Sequence, residues 1–133
     1  FVGFDQKKDP QDILDAYNDP EGITAAFNKN LLVRINRELE GDFDTSKFIH
    51  SEVYDPETGT AKSFLVAKEA QTVSIKNIAL NISFEPWETI HTEISQKYDA
   101  KTVAWLAAAA GLEIVTSFTD SNNYYKNYLF RTK

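Results

Sequence analysis

Polar and apolar positions change period twice along this chain, and each change marks a boundary between kinds of secondary structure. Phe1-Val-Gly-Phe4 is an apolar run expected to form a short buried strand, with Asp5 at its carboxyl end. That end is where α/β sheets bind ligands, so Asp5 is either a site residue or a turn former. Asp9-Pro10 suits an N-cap and a first helical residue, and Ile13, Leu14 and Tyr17 give the short helix its apolar stripe. Asn18-Asp19-Pro20 opens a second helix, predicted over residues 20–40. Ile23, Phe27, Leu31, Ile35 and Leu39 recur every four residues, which predicts a single ridge, with Ala26 beside it and Gly41 ending the helix. Asn28 and Asn30 read as surface amides.

From Ile49 the period becomes that of strands. Residues 49–54, 62–68, 71–76 and 78–84 predict an antiparallel meander, with turn signals at Pro56-Glu-Thr-Gly59 and Lys76-Asn77. The chain is organised around the next stretch, Glu88-Thr-Ile-His-Thr-Glu-Ile-Ser-Gln-Lys-Tyr-Asp99. Its alternation sends Ile90, Thr92 and Ile94 one way and His91, Glu93 and Ser95 the other. A carboxylate two residues from a hydroxyl on one face of a rigid strand can hydrogen-bond a small polar ligand, or can simply face solvent. Asp99 then caps a helix with Val103, Leu106, Ala107 and Ala110 on one face and Gly111 at its end. Residues 112–118 and 124–130 predict a terminal hairpin turning at Asp120-Ser-Asn-Asn123, whose aromatic residues pack a sheet rather than line a box. The two ends of the chain therefore resemble parts of one α/β sheet, and the middle an inserted antiparallel module.

At 133 residues, 42% of them hydrophobic and 26% charged, the chain is of single-domain size with a real core. A net charge of -6 with no Lys/Arg cluster argues against a nucleic-acid surface. No cysteine is present, which removes disulfides, thiolate metal sites and thiol nucleophiles and is compatible with the cytoplasm. The longest low-polarity run, from Val103 to Leu112, is too short to span a bilayer. His50 and His91 lack metal-ligand spacing and read as structural. The absence of methionine, even at the start, and an opening on an apolar run lead us to expect a piece of a longer protein. Five scattered glycines form no phosphate-binding loop, so a nucleotide-type cofactor site of that kind would lie outside this chain.

Tyr17-Asn-Asp-Pro-Glu-Gly-Ile-Thr-Ala-Ala-Phe27, followed by Asp42-Phe-Asp44 and then His91-Thr-Glu-Ile-Ser95, resembles the histidine-specific, S-adenosylmethionine-dependent methyltransferases. These enzymes trimethylate the α-amino nitrogen of L-histidine to hercynine, the first step of ergothioneine biosynthesis. The resemblance runs over essentially the whole chain, and lacks the family's amino-terminal half with its S-adenosylmethionine loop. It implies an α/β fold, α+β as a fragment: the last part of a Rossmann-like methyltransferase sheet with an inserted antiparallel substrate-binding module. Residues 1–17 would be a late strand and helix of the core, 18–96 the module, and 97–133 the last core helix and hairpin.

The resemblance also assigns substrate-binding roles, and no chemical catalyst. Tyr17 matches a tyrosine that hydrogen-bonds the histidine carboxylate, Glu93 the carboxylate that holds the imidazole, and Ser95 its hydroxyl companion. Ser63 stands where the family carries a bulky apolar residue, often methionine, against the ring. That departure keeps open a relative acting on another amino acid or amine. A third reading is a module that binds a small ligand without catalysis. The expected partner is a small molecule, with no nucleic acid and no membrane; the sequence does not fix an oligomeric state. The chain on its own is expected to be inactive.

Overall fold

A computed structural model describes all residues 1–133, with three α-helices and eight strands in an α+β arrangement of mainly antiparallel sheets. The chain divides into two compact units. One takes Phe1–Ile13, Tyr54–Ala61 and Ser95–Lys133, the other Leu14–Val53 and Lys62–Ile94.

In the first unit, β1 (Val2–Asp5), β8 (Tyr125–Thr132) and β7 (Leu112–Thr119) form an antiparallel sheet with β8 in the centre. Val2 pairs with Tyr128, and a register shift lies between Ile114 and Thr116. The predicted hairpin is present. The predicted first strand forms, but it is not buried: β1 pairs with β8 alone among the strands, and Phe1 is 74% exposed. Helix α3 (Ala100–Ala109) begins where the sequence indicates, because the Asp99 carboxylate accepts the Thr102 N–H at 2.7 Å. Gly111, at φ 71°, closes it in a conformation that a side chain would strain. Ile13, Val103, Ala107 and Tyr128 are buried here, and the Phe4 ring meets Tyr128 edge-on at 5.7 Å.

The second unit has its core among Leu32, Phe43, Phe48, Leu65, Ala67, Val73, Ile75 and Phe84, with Ile35 and Leu39 packed against it. Leu32, Ile35 and Leu39 come from α2 (Ile23–Leu39), which follows α1 (Pro10–Tyr17). The predicted ridge is only half realised. Ile23 and Phe27 are 64% and 72% exposed, whereas Asn28 and Leu32 are buried. At about 3.6 residues per turn, each four-residue step overshoots by about 40°, so the ridge rotates by about 160° from Ile23 to Leu39. Its two ends cannot face the same core. Helix α2 also begins later than predicted, since Pro20 and Glu21 form a turn. Asp19 still caps it, accepting the N–H groups of Ile23 and Thr24, each at 2.8 Å. Glu40, rather than Gly41, takes the left-handed conformation that ends it.

The four middle strands form, but they do not make one meander. Strands β2 (Phe48–Asp55) and β3 (Thr60–Ala67) are joined by β6 (Thr89–Gln96) in the order β2-β3-β6. Strands β4 (Gln71–Ile75) and β5 (Leu80–Phe84) pair separately, with Gln71 opposite Phe84 and Ile75 opposite Leu80. The edge of β3 that a meander would give to β4 is taken by the start of β6: Ala67 N–H donates to the Glu88 carbonyl at 2.8 Å. Strand β4 is held instead by Asp42, whose carboxylate accepts the Ser74 N–H at 2.7 Å.

Candidate functional site

Strand β6 carries three of the residues that sequence reasoning singled out, and its alternation is not continuous. Ile90 packs on the core, His91 is exposed and Thr92 half-buried, as period two requires. Glu93 is then half-buried as well, and Ile94 is 61% exposed. Two consecutive residues, Thr92 and Glu93, are thus half-buried. Ile94 is thus exposed where Ile90 is packed, and His91 and Glu93 differ in burial.

Within the second unit, the inner side of β6 meets α2 through a polar network. The Thr92 hydroxyl donates to Asn28 Oδ1 at 2.6 Å, with the Ser63 carbonyl as an alternative acceptor at 3.0 Å. Asn28 is 4% exposed, which corrects its reading as a surface amide. Its Nδ2 donates to the Thr24 carbonyl at 3.1 Å and lies 3.3 Å from His50 Nε2. On the other side of the ring, His50 Nδ1 lies 3.6 Å from Glu52. Both lone histidines thus have structural surroundings; His91 stacks on Phe64, ring centroids 5.0 Å apart. Beside the network, Phe27, Asn28, Asn30, Leu31, Arg34 and Thr92 line an open hollow of about 200 Å³.

Glu93 is half-buried as a residue; its backbone carbonyl meets His91 Nε2 at 3.0 Å, and its carboxylate has no hydrogen-bond partner in the protein. Ser63 is 0% exposed on the inner face of β3, and its hydroxyl has no partner either. Tyr17 is half-buried at the last position of α1.

In the first unit, Ser95 is half-buried and accepts a hydrogen bond from Lys97 Nζ at 2.9 Å. Lys97 is 3% exposed and also donates to Asp5 Oδ2 at 2.6 Å, while Lys8 donates to Asp5 Oδ1 at 2.8 Å. Burial pushes the Asp5 carboxyl up, but the hydrogen bonds and charges of Lys8 and Lys97 outweigh it and hold the group below its usual range. Asp5 is thus an anchoring residue for two lysines. Lys97 escaped the sequence reading, although its place two residues beyond Ser95 puts both on one side of the strand. No three His, Asp or Glu side chains are gathered so as to hold a metal ion, and no helix is long and apolar enough to cross a membrane.

Over residues 1–132 the chain matches the family described as histidine-specific methyltransferase, SAM-dependent, and it belongs to that family. It is similar to the Histidine N-alpha-methyltransferase of Mycobacterium tuberculosis, 38% identical over 120 residues, which are 90% of this chain and 37% of that protein. The protein of the same name from Mycolicibacterium smegmatis is 36% identical over the same shares. Ergothioneine biosynthesis protein 1 of Schizosaccharomyces pombe is 28% identical over 130 residues, 97% of this chain and 17% of that protein. The chain thus spans little more than a third of the curated relatives it matches best in length.

The family implies S-adenosylmethionine, but the residues present do not form a cradle for it. Gly3 is closed by the Tyr125 ring, Gly41 by Asn36 and Gly59 by Lys7 and the Lys97 carbonyl; Gly22 and Gly111 stand singly at helix ends. No residue of this chain is assigned to the methyl donor.

Proposed function

We propose that this chain is the carboxyl-terminal portion of an enzyme that trimethylates the α-amino group of L-histidine to hercynine, the first step of ergothioneine biosynthesis. The family match over residues 1–132 carries the proposal, and the names of the mycobacterial and fission-yeast relatives support it. In this reading S-adenosylmethionine is held by the amino-terminal half of the protein. Residues 1–17 and 97–133 complete a Rossmann-like methyltransferase core, and residues 18–96 form the substrate-binding module. The enzyme works in the cytoplasm.

Four side chains of this chain handle the amino acid. Tyr17 donates its phenol proton to the substrate carboxylate, Glu93 accepts an imidazole N–H and Ser95 bonds the ring beside it. Ser63 stands behind the ring position. The partnerless Glu93 carboxylate supports this assignment, because an apolar amino acid would leave a costly acceptor unpaired where histidine satisfies it. Methylation needs the α-amine neutral and aligned with the donor, so holding the amino acid in place is this chain's contribution.

The orphan hydroxyl of Ser63 favours a second reading, a relative acting on another amino acid or amine. One assay separates the two: methyl transfer by the full-length protein, given S-adenosylmethionine and each common amino acid in turn. Hercynine from histidine alone establishes the first reading, and preference for another amine establishes the second. Absence of any transfer leaves a non-catalytic ligand-binding module.

A further inference from the structure

We propose that Lys97 is a positioning residue that commits the Ser95 hydroxyl to donating its proton, so that the site recognises histidine by the acceptor nitrogen of its ring. The proposal rests on the substrate reading above and adds a residue which that reading does not contain.

The argument begins with valence. An ammonium group has three donors and no acceptor, so in the 2.9 Å bond between Lys97 Nζ and Ser95 Oγ the serine can only accept. Its own O–H is left for a partner on its open side, and Ser95 is half-buried rather than sealed. A positive charge this close polarises that O–H and opposes the approach of a second cation. An acceptor nitrogen with a lone pair is therefore welcome at Ser95, and the N–H of an imidazolium is not.

Lys97 is fixed well enough to impose this. It is 3% exposed, and its ammonium is tied to Asp5 at 2.6 Å. Asp5 is tied in turn by Lys8, and its backbone carbonyl accepts the Tyr98 N–H at 2.8 Å.

The test uses the full-length protein and compares kcat/KM for L-histidine with that for the two pyrrolylalanines. These keep a ring N–H and replace the acceptor nitrogen by C–H. Wild type should prefer histidine by about 100-fold or more, the penalty of burying an unanswered donor. Ser95→Ala should cut the preference to about 10-fold or less, and Lys97→Gln should do the same, because the glutamine carbonyl can take the serine proton. Lys97→Arg, which like lysine only donates, should restore it. A wild-type preference retained by a folded Lys97→Gln protein overturns the proposal and leaves Lys97 a structural role. A second measurement needs no variant: ¹⁵N spectra of ring-labelled histidine bound to the wild type should show one protonated and one lone-pair nitrogen at a pH where the free ring is already cationic. A bound imidazolium overturns the proposal. If the wild type neither binds nor methylates histidine, the substrate reading falls as well, an outcome distinct from an unchanged ratio.

Discussion

Asn36 grips Phe43 by both of its backbone polar groups. The amide Nδ2 donates to the Phe43 carbonyl at 2.7 Å, and Oδ1 accepts the Phe43 N–H at 2.8 Å. One side chain on α2 thereby does what a neighbouring strand would do, and it sets the Phe43 ring, 6% exposed, into the core beside Phe48 and Phe84. Asn36→Ala should strand both backbone groups and lower stability by about 2 kcal/mol. Asn36→Asp, which lacks the donor, should fall between the two. Urea unfolding of the full-length protein, followed by intrinsic fluorescence, checks the order; equal midpoints for all three would refute it.

The cap of α2 should carry a pH signature. Hydrogen bonds from the Thr24 side chain, the Thr24 N–H and the Ile23 N–H hold the Asp19 carboxyl at about 2, below its ordinary value of 3.8. A depressed carboxyl stabilises the fold above its unfolded value and loses that contribution as pH falls through the folded one. The effect should therefore be complete above about pH 4 and fade between about pH 4 and 2. In Asp19→Ala the slope of melting temperature against pH should flatten in that window. A carboxyl-detected titration placing Asp19 near 4 would contradict the capping geometry.

Ser63 offers a substitution that should improve the fold. A buried hydroxyl without a partner costs about 1–3 kcal/mol, and alanine fits the same space without it. Ser63→Ala should raise the urea midpoint, by about 1 kcal/mol in stability. A lower midpoint would mean that the hydroxyl has a partner in the complete protein, such as an ordered water or the substrate.

Glu93→Ala tests the substrate assignment. Loss of a charge-assisted bond to the ring should lower kcat/KM for histidine by about 2–3 kcal/mol, roughly 30- to 150-fold. Stability should hardly change, because Glu93 has no protein partner to lose. If kcat/KM stays at the wild-type value, Glu93 does not touch the substrate.

What could be read from the sequence was mainly local. Asp99 and Gly111 bracket α3 because caps are determined by the few residues around them. The terminal hairpin formed for the same reason. The errors lie where distant residues compete. The partner of β3 depends on whether β4 or β6 reaches its edge, and no periodicity within β3 can reveal that. Asn28 reads as a surface amide in sequence because two of its partners, Thr92 and His50, stand far off along the chain. In β6, the pattern identifies the strand, but the exposure of Ile94 leaves no trace in residue type. Lys97 carries no mark in the sequence, since a lone lysine at a strand end usually points to solvent, and only the tertiary placement of Asp5 makes it a buried one.

The pairing of Val2 with Tyr128 bears on how the protein is made. Within residues 1–133, β1 leaves the ribosome well before β8, so this pairing waits until nearly all of that stretch has emerged. Every segment of the second unit is already available once Ile94 is out. Vectorial synthesis thus favours an order in which that unit settles first and the sheet of β1, β8 and β7 closes last, after a long loop entropy has been overcome. A premature stop within β8 would leave β1 without the strand it pairs with in this chain, and unpaired strands are what chaperones and proteases are built to find.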